Sequence, residues 1–212
     1  TYNGAASAPG VQERIENSDF LVTTNPRFIE VNSGSFTHNL ANAHVYNFGD
    51  QHLNADGEFF VGIQTLELLD VLLDRIPEAE TSPSTAGFEP EPFEPNPDAA
   101  LTQERIWPQM LGFIQEGDVV IAEAGTSNIG LGQQRMPEGV QYINSTIWGS
   151  IGFTLPCVLG SQLANPDRRH VLFIGDGSFQ LTAQELSTIL RQDLKPIIVL
   201  VNNDGYTIER FI

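Results

Sequence analysis

Residues 119–123, 171–174 and 196–201 are apolar almost without interruption over the length of a strand. A strand with no polar face belongs in a parallel sheet covered by helices on both sides. Helical periodicity separates these runs. Residues 102–115 place Ile106, Met110, Leu111, Phe113 and Ile114 on or near one face, residues 148–160 read as a helix rich in small side chains, and residues 184–191 as another. Each strand runs out into glycine and polar residues: Gly125-Thr126-Ser127, Gly175-Asp176-Gly177 and Asn202-Asn203-Asp204-Gly205. Alternating strand and helix with polar strand ends predicts a doubly wound parallel sheet, which binds ligands at the carboxyl ends of its strands.

The first part of the chain has the same texture in shorter pieces. Residues 11–18 read as a helix, 20–22 and 45–48 as strands, and 65–76 as a helix whose Leu66, Leu69, Leu72, Leu73 and Ile76 predict one buried face. Between the two parts, residues 78–98 crowd proline, glutamate and small side chains together, as in Glu89-Pro90-Glu91-Pro92-Phe93-Glu94-Pro95. Proline removes backbone donors and the carboxylates repel one another, so this stretch reads as an extended linker. The predicted organisation is two α/β, doubly wound parallel-sheet domains, both incomplete: residues 1–77, a linker at 78–100, and residues 101–212.

Composition narrows the partners. The formal net charge of −17 repels phosphate backbones and anionic lipid head groups, so neither nucleic acid nor a membrane surface is an expected partner. The apolar runs fall far short of a spanning helix. Thr1-Tyr2-Asn3-Gly4 has neither a basic start nor an apolar signal core, and it does not begin with methionine, so a cut or a boundary is expected there. Cys157 lies in an apolar run and is expected to be buried rather than reactive. His38, His44 and His52 are irregularly spaced among polar turn residues and do not read as a metal site.

Two strands deliver Asp176 and Asn203 to one edge of the sheet, one crossover unit apart. A carboxylate, a side-chain amide oxygen and a loop carbonyl are hard donors suited to Mg²⁺ or Ca²⁺, with a phosphate ligand and water in the remaining positions. Gly175 and Gly177 let the backbone approach an anion, and Ser178 adds a hydroxyl and free amide donors. A metal there neutralises a diphosphate that an acidic protein repels. Taken singly, Gly-Asp-Gly and Asn-Asp-Gly are also ordinary turn sequences.

Taken together, Gly175-Asp176-Gly177-Ser178 through Asn202-Asn203 resembles the thiamine diphosphate signature. The segment from Asn202 to Glu209, with Trp148-Gly149-Ser150-Ile151-Gly152, resembles the pyruvate decarboxylase branch of the thiamine diphosphate-dependent 2-oxo acid decarboxylases. The resemblance is strong from about Leu101 onward, whereas the first domain is more weakly similar to the family's middle domain. It implies that Asp176, Asn203 and the Gly205 carbonyl ligate Mg²⁺, with Gly177, Ser178, Tyr206 and Thr207 around the diphosphate. It also implies that Gly149 accepts from the cofactor's 4′-amino group, with Ser150 beside it. Ile151 would wedge beneath the two rings, a role suited to a side chain stiff at χ1. Thr126 would lie near the pyrimidine. Trp148 and Ile151 read equally as core, Trp148 the more readily.

The same resemblance makes Glu209 the catalytic candidate, an acid whose role asks for a pKa raised by burial; otherwise it is a solvated glutamate at a helix start. Ile208 and Ile212 resemble substrate-pocket positions, and their bulk favours pyruvate over indolepyruvate or phenylpyruvate. The implied activity is that of a carboxy-lyase: non-oxidative decarboxylation of a 2-oxo acid to an aldehyde and CO₂ in a cytoplasmic homo-oligomer, a dimer or a homotetramer. Family members carry a further domain with a glutamate for the aminopyrimidine and paired histidines. Neither is found in these residues, so the 212-residue chain alone is expected to be inactive. A non-catalytic assembly or cofactor-binding fragment of such an enzyme is the alternative from another class. Within the enzymes, an acetolactate synthase or benzoylformate decarboxylase relative fits the Trp-Gly-Ser-Ile-Gly and Tyr-Thr-Ile-Glu segments less well.

Overall fold

The computed structural model describes residues 2–7, 9–30, 32–75 and 93–210, and the chain divides into two compact units, Thr1–Gly87 and Phe88–Ile212. Residues 78–92 of the expected linker lie outside the described part. Its last residues are tied to the second unit. The Arg105 guanidinium lies 5.6 Å from the centre of the Phe93 ring and donates to the Asn96 carbonyl at 3.1 Å.

The first unit contains α1 (Pro9–Glu16), β1 (Phe20–Thr23), β2 (His44–Phe48), β3 (His52–Ala55), β4 (Glu58–Val61) and α2 (Thr65–Leu73). The α/β class holds, with β1 and β2 parallel, but β3 and β4 extend the sheet antiparallel and make it mixed. Residues 49–51 turn β2 back into β3, and Asp56-Gly57, a two-residue loop with both φ positive (50° and 90°), closes the β3–β4 hairpin. The sequence His52-Leu53-Asn54-Ala55 is too polar to announce a strand by itself. Phe48 and Leu53 form the buried centre. α2 starts where its leucine spacing places it, anchored by the Thr65 hydroxyl donating to the Gly49 carbonyl. It does not bury the face expected of it: none of its residues is buried and Leu66 is 77% exposed. The short strands supply too little apolar surface among the described residues to cover that row, and Ile76 lies outside them.

The second unit contains α3 (Gln103–Leu111), β5 (Val119–Ala122), α4 (Thr126–Gly132), β6 (Gln141–Ile143), α5 (Thr154–Ala164), β7 (His170–Gly175), α6 (Asp176–Thr182), α7 (Glu185–Arg191) and β8 (Ile197–Val201), then a one-turn 3-10 helix, Ile208–Arg210. The sheet order is β6-β5-β7-β8, and every pair is parallel. Alternate side chains of β5 and β7 enter two separate cores. Val120, Ala122, Val171 and Phe173 meet Trp107 and Leu131, whereas Val119, Ile121, Leu172 and Ile174 meet Leu155, Val158 and Ile189. Helices cover both faces, as uninterrupted apolar strands require. Cys157 is half-buried in α5, and burial pushes its thiol pKa up, with Glu123 adding to the effect. The short elements escape a reading based on periodicity because α4 and α6 span barely two turns and β6 is a strand of only three residues. The helix expected over 148–160 begins only at Thr154, since Gly149 and Gly152 adopt positive φ (55° and 84°) and form a turn instead.

The amino end of the sheet is closed by polar groups that satisfy one another. Arg169 donates to both oxygens of Asp118, at 2.9 and 2.6 Å, and to the Phe113 carbonyl at 2.8 Å. The Gln115 amide adds a bond of 2.8 Å to the same carboxylate, which is 3% exposed. Arg168 binds the carbonyls of Gly117, Asp118 and Gly139, so one arginine holds the segments leading into β5 and β6. Burial works against ionisation of Asp118, but the Arg169 and Gln115 donors outweigh it and hold the carboxyl below its ordinary 3.8.

Asp118→Asn is therefore expected to lower the unfolding free energy by about 2–3 kcal/mol at pH 7. A depressed folded-state pKa contributes stability that is complete above the unfolded-state value and is lost as pH falls through the folded-state value. Urea unfolding of parent and variant should show the gap narrowing below about pH 4. A gap independent of pH would leave Asp118 only a packing role.

Candidate active site

From β5 the chain winds outward to β6, and from β7 it winds the opposite way to β8, so the winding reverses between β5 and β7. At such a reversal the loops leaving the carboxyl ends diverge and open a crevice. Glu123 to Gly125 follow β5, Asp176 follows β7, and Asn202 to Thr207 follow β8. Most of the residues that the sequence singles out stand at this edge.

Asp176, Asn203 and Gly205 converge. Asp176 Oδ2 accepts from the Gly205 amide at 2.8 Å. The inward end of the Asn203 amide lies 3.2 Å from Asp176 Oδ1, 2.9 Å from the Gly205 carbonyl oxygen and 3.1 Å from Thr207 Oγ1. With nitrogen inward, the amide donates to those acceptors. With oxygen inward, the amide oxygen lies beside a carboxylate and a carbonyl, an arrangement that a cation would stabilise. Octahedral Mg²⁺, at about 2.0–2.1 Å from each ligand, sets neighbouring ligand oxygens about 3 Å apart, so the spacing fits that ion. The outward end of the amide is 2.7 Å from the Thr207 hydroxyl, which can donate or accept and therefore suits either orientation. Among the described residues no group of three or more His, Cys, Asp or Glu could hold a metal, and this set holds a single carboxylate.

Gly177 is buried in α6, and a Cβ added there would meet the Tyr206 ring at 3.0 Å. The absent side chain thus seats the loop after β8 against α6. Ser178 is buried beside it. Ile208 reaches the loop after β5, where a Cβ on Gly125 would lie 3.4 Å from its Cγ1. Thr126 opens α4 directly after Gly125. The turn holding Gly149 and Ser150 is fixed near its end by Thr182 Oγ1, which donates to the Gly152 carbonyl at 2.9 Å. Gly149 itself is open, with nothing within 4 Å of an added Cβ. Neither Trp148 (77% exposed) nor Ile151 (37%) is core, so the packing alternative falls for both. Glu209 is exposed on the 3-10 helix, and the described residues do not supply the enclosure its acid role asks for. Ile212 lies outside the described residues.

Sequence reasoning missed Glu123, Thr154 and Thr182. Glu123 had a visible signal, as a lone charge closing the run Val-Val-Ile-Ala, whereas the two threonines had none.

Residues 123–211 match the family model described as thiamine pyrophosphate enzyme, C-terminal TPP binding domain. Over its whole length the chain is 43% identical to an alpha-keto-acid decarboxylase of Mycolicibacterium paratuberculosis, of which it covers 38%. It is likewise 39% identical to the pyruvate decarboxylase of Candida glabrata and 40% identical to pyruvate decarboxylase isozyme 1 of Saccharomyces cerevisiae, covering 39% of each. The chain thus spans a little under two-fifths of the length of these relatives.

The contact between Gly177 and Tyr206 is open to a direct test. Gly177→Ala is expected to destabilise the protein by about 1–3 kcal/mol through overpacking. Tyr206→Ala should recover at least half of that in the double variant. Thermal unfolding of the four proteins measures the coupling, and additive losses would mean that the ring is not what excludes a side chain at 177.

Proposed function

From the match of residues 123–211 to the C-terminal TPP binding domain of thiamine pyrophosphate enzymes, and from the similarity along the chain to alpha-keto-acid and pyruvate decarboxylases, we propose that this chain belongs to that family and serves the non-oxidative decarboxylation of a 2-oxo acid, pyruvate first, with thiamine diphosphate and Mg²⁺. The observation that carries the proposal is the convergence of Asp176, Asn203 and the Gly205 carbonyl beside the start of α6, with one end of the Asn203 amide 3.2 and 2.9 Å from the other two. When bound, thiamine diphosphate supplies the electron sink for the bond that breaks to release CO₂. Asp176, Asn203 and Gly205 hold the cation, while Gly177, Ser178, Tyr206 and Thr207 flank the diphosphate. Gly149 and Ser150 would offer backbone groups from an open turn, with Ile151 and Thr126 as the side chains that would contact the rings.

Glu209 handles a proton once it is enclosed. Its exposure, and that of Ile147, Trp148 and Tyr206, supports an oligomer in which a neighbouring subunit covers this edge. No helix among the described residues is long and apolar enough to cross a membrane, and the proposed setting is the cytoplasm. The breadth of the name alpha-keto-acid decarboxylase keeps a bulkier acid such as phenylpyruvate as the second reading. The Ile208 side chain at the crevice favours the smaller one.

Acetaldehyde formation from pyruvate by the full-length protein, with and without Mg²⁺ and thiamine diphosphate, is the deciding measurement. Asp176→Asn should abolish metal-dependent cofactor binding, and Glu209→Gln should lower kcat at least about a hundredfold while leaving cofactor Kd nearly unchanged. Cofactor binding without turnover on either pyruvate or phenylpyruvate would favour a non-catalytic role. A higher kcat/KM on phenylpyruvate would move the substrate assignment.

A further inference from the structure

Glu123 is a carboxylate at the carboxyl end of β5, at the point where the winding of the sheet reverses, and it is 1% exposed. Such a group persists only when its acceptor sites are filled. Its Oε1 accepts from the Ala124 amide at 3.0 Å, and its Oε2 accepts from Thr154 Oγ1 at 2.6 Å and from the Thr154 amide at 3.3 Å. Its own amide donates to the Phe173 carbonyl at 2.9 Å, fixing the main chain at the end of the sheet. The side chain therefore joins a rigid strand end to the first residue of α5, immediately after the turn 149–152. Without that tie the turn would rest mainly on the bond from Thr182 to the Gly152 carbonyl and on its own internal bonds.

A buried charge is an expensive way to fasten a helix start, since an apolar pair of similar volume would pack the same space without desolvating a carboxylate. What the carboxylate adds is direction. Two donors of one residue on one oxygen fix both the height and the rotation of Thr154, and hence where the preceding turn carries Gly149 and Ile151. We infer that Glu123 is a positioning residue for the cofactor: through Thr154 it holds the turn 149–152 in the pose that engages the rings of thiamine diphosphate, and it leaves the diphosphate end to Asp176, Asn203 and Gly205. This inference rests on the cofactor reading above.

The two ends of the ligand separate the possibilities. In the intact protein with Mg²⁺, calorimetry is to be run with thiamine diphosphate and, separately, with inorganic diphosphate. The second readout is exchange of the C2 proton of saturating bound cofactor into D₂O, which reports how the rings are held. Glu123→Gln, which cannot accept at both oxygens, should weaken thiamine diphosphate about tenfold and slow exchange by at least as much. Its Kd for inorganic diphosphate should stay within about twofold. Thr154→Val should reproduce this pattern, and Thr154→Ser, which keeps both donors, should restore the parent values. Thr154→Val also keeps the test open if the Glu123 variant does not fold.

Parent-like ring affinity and exchange in the folded variants would overturn the inference. Equal weakening of both ligands would also overturn it, because Glu123 would then support the whole edge rather than the turn. Failure of the parent itself to bind thiamine diphosphate would instead sink the cofactor reading, before any variant is compared.

Discussion

Burial of the two central strands on both faces is the constraint on which the second unit depends. Every side chain from Val119 to Ala122 and from His170 to Ile174 is withdrawn from water. A polar group within that layer needs a partner there, as His170 finds in Ser161 and in the Arg168 carbonyl. Charged residues are consequently driven to the strand ends. The two ends are used differently. At the amino end Asp118, Arg168 and Arg169 meet as donors and acceptors that satisfy one another and hold strands together. At the carboxyl end the Asn203 amide stands between the Asp176 carboxylate and the Gly205 carbonyl and can turn either of its ends toward them.

That asymmetry gives meaning to an acidic composition. A chain with a formal net charge of −17 offers a diphosphate little long-range attraction. Under the proposed reading, one carboxylate beside an amide and a carbonyl, rather than beside further carboxylates, gives a point where a divalent cation would reverse the local sign without a large excess of negative charge. The amino-end clamp and the carboxyl-end cluster are thus two uses of the same sheet, one for holding strands together and the other, in the proposed reading, for ligation.

The second unit was legible because its apolar runs are long enough to be strands and too continuous to be anything half-exposed. Asp176 and Asn203 could be placed at one edge from sequence for the same reason. What escaped was set by tertiary contact. Residues 148–153 look helical in composition but turn on two glycines, one of which packs under Leu181 and Thr182. In the first unit, β3 and β4 were hidden by polar residues, although Asp56-Gly57 was a hairpin signal in plain sight. The leucines of α2 carried helical spacing but no information about what covers them. The pairing of Glu123 with Thr154 joins positions whose proximity arises only once α5 is laid on the sheet.

The loop after β8 has one further property. The two ends of the Asn203 amide are nearly the same size and differ chiefly in sign, and the Thr207 hydroxyl accommodates either. Half a turn about one side-chain bond therefore exchanges an internally hydrogen-bonded loop for an oxygen-lined one, with no travel of the backbone. For the cation proposed there, the conformational entropy of ordering the loop is lost at folding rather than at binding, which leaves more of the interaction energy to appear as affinity.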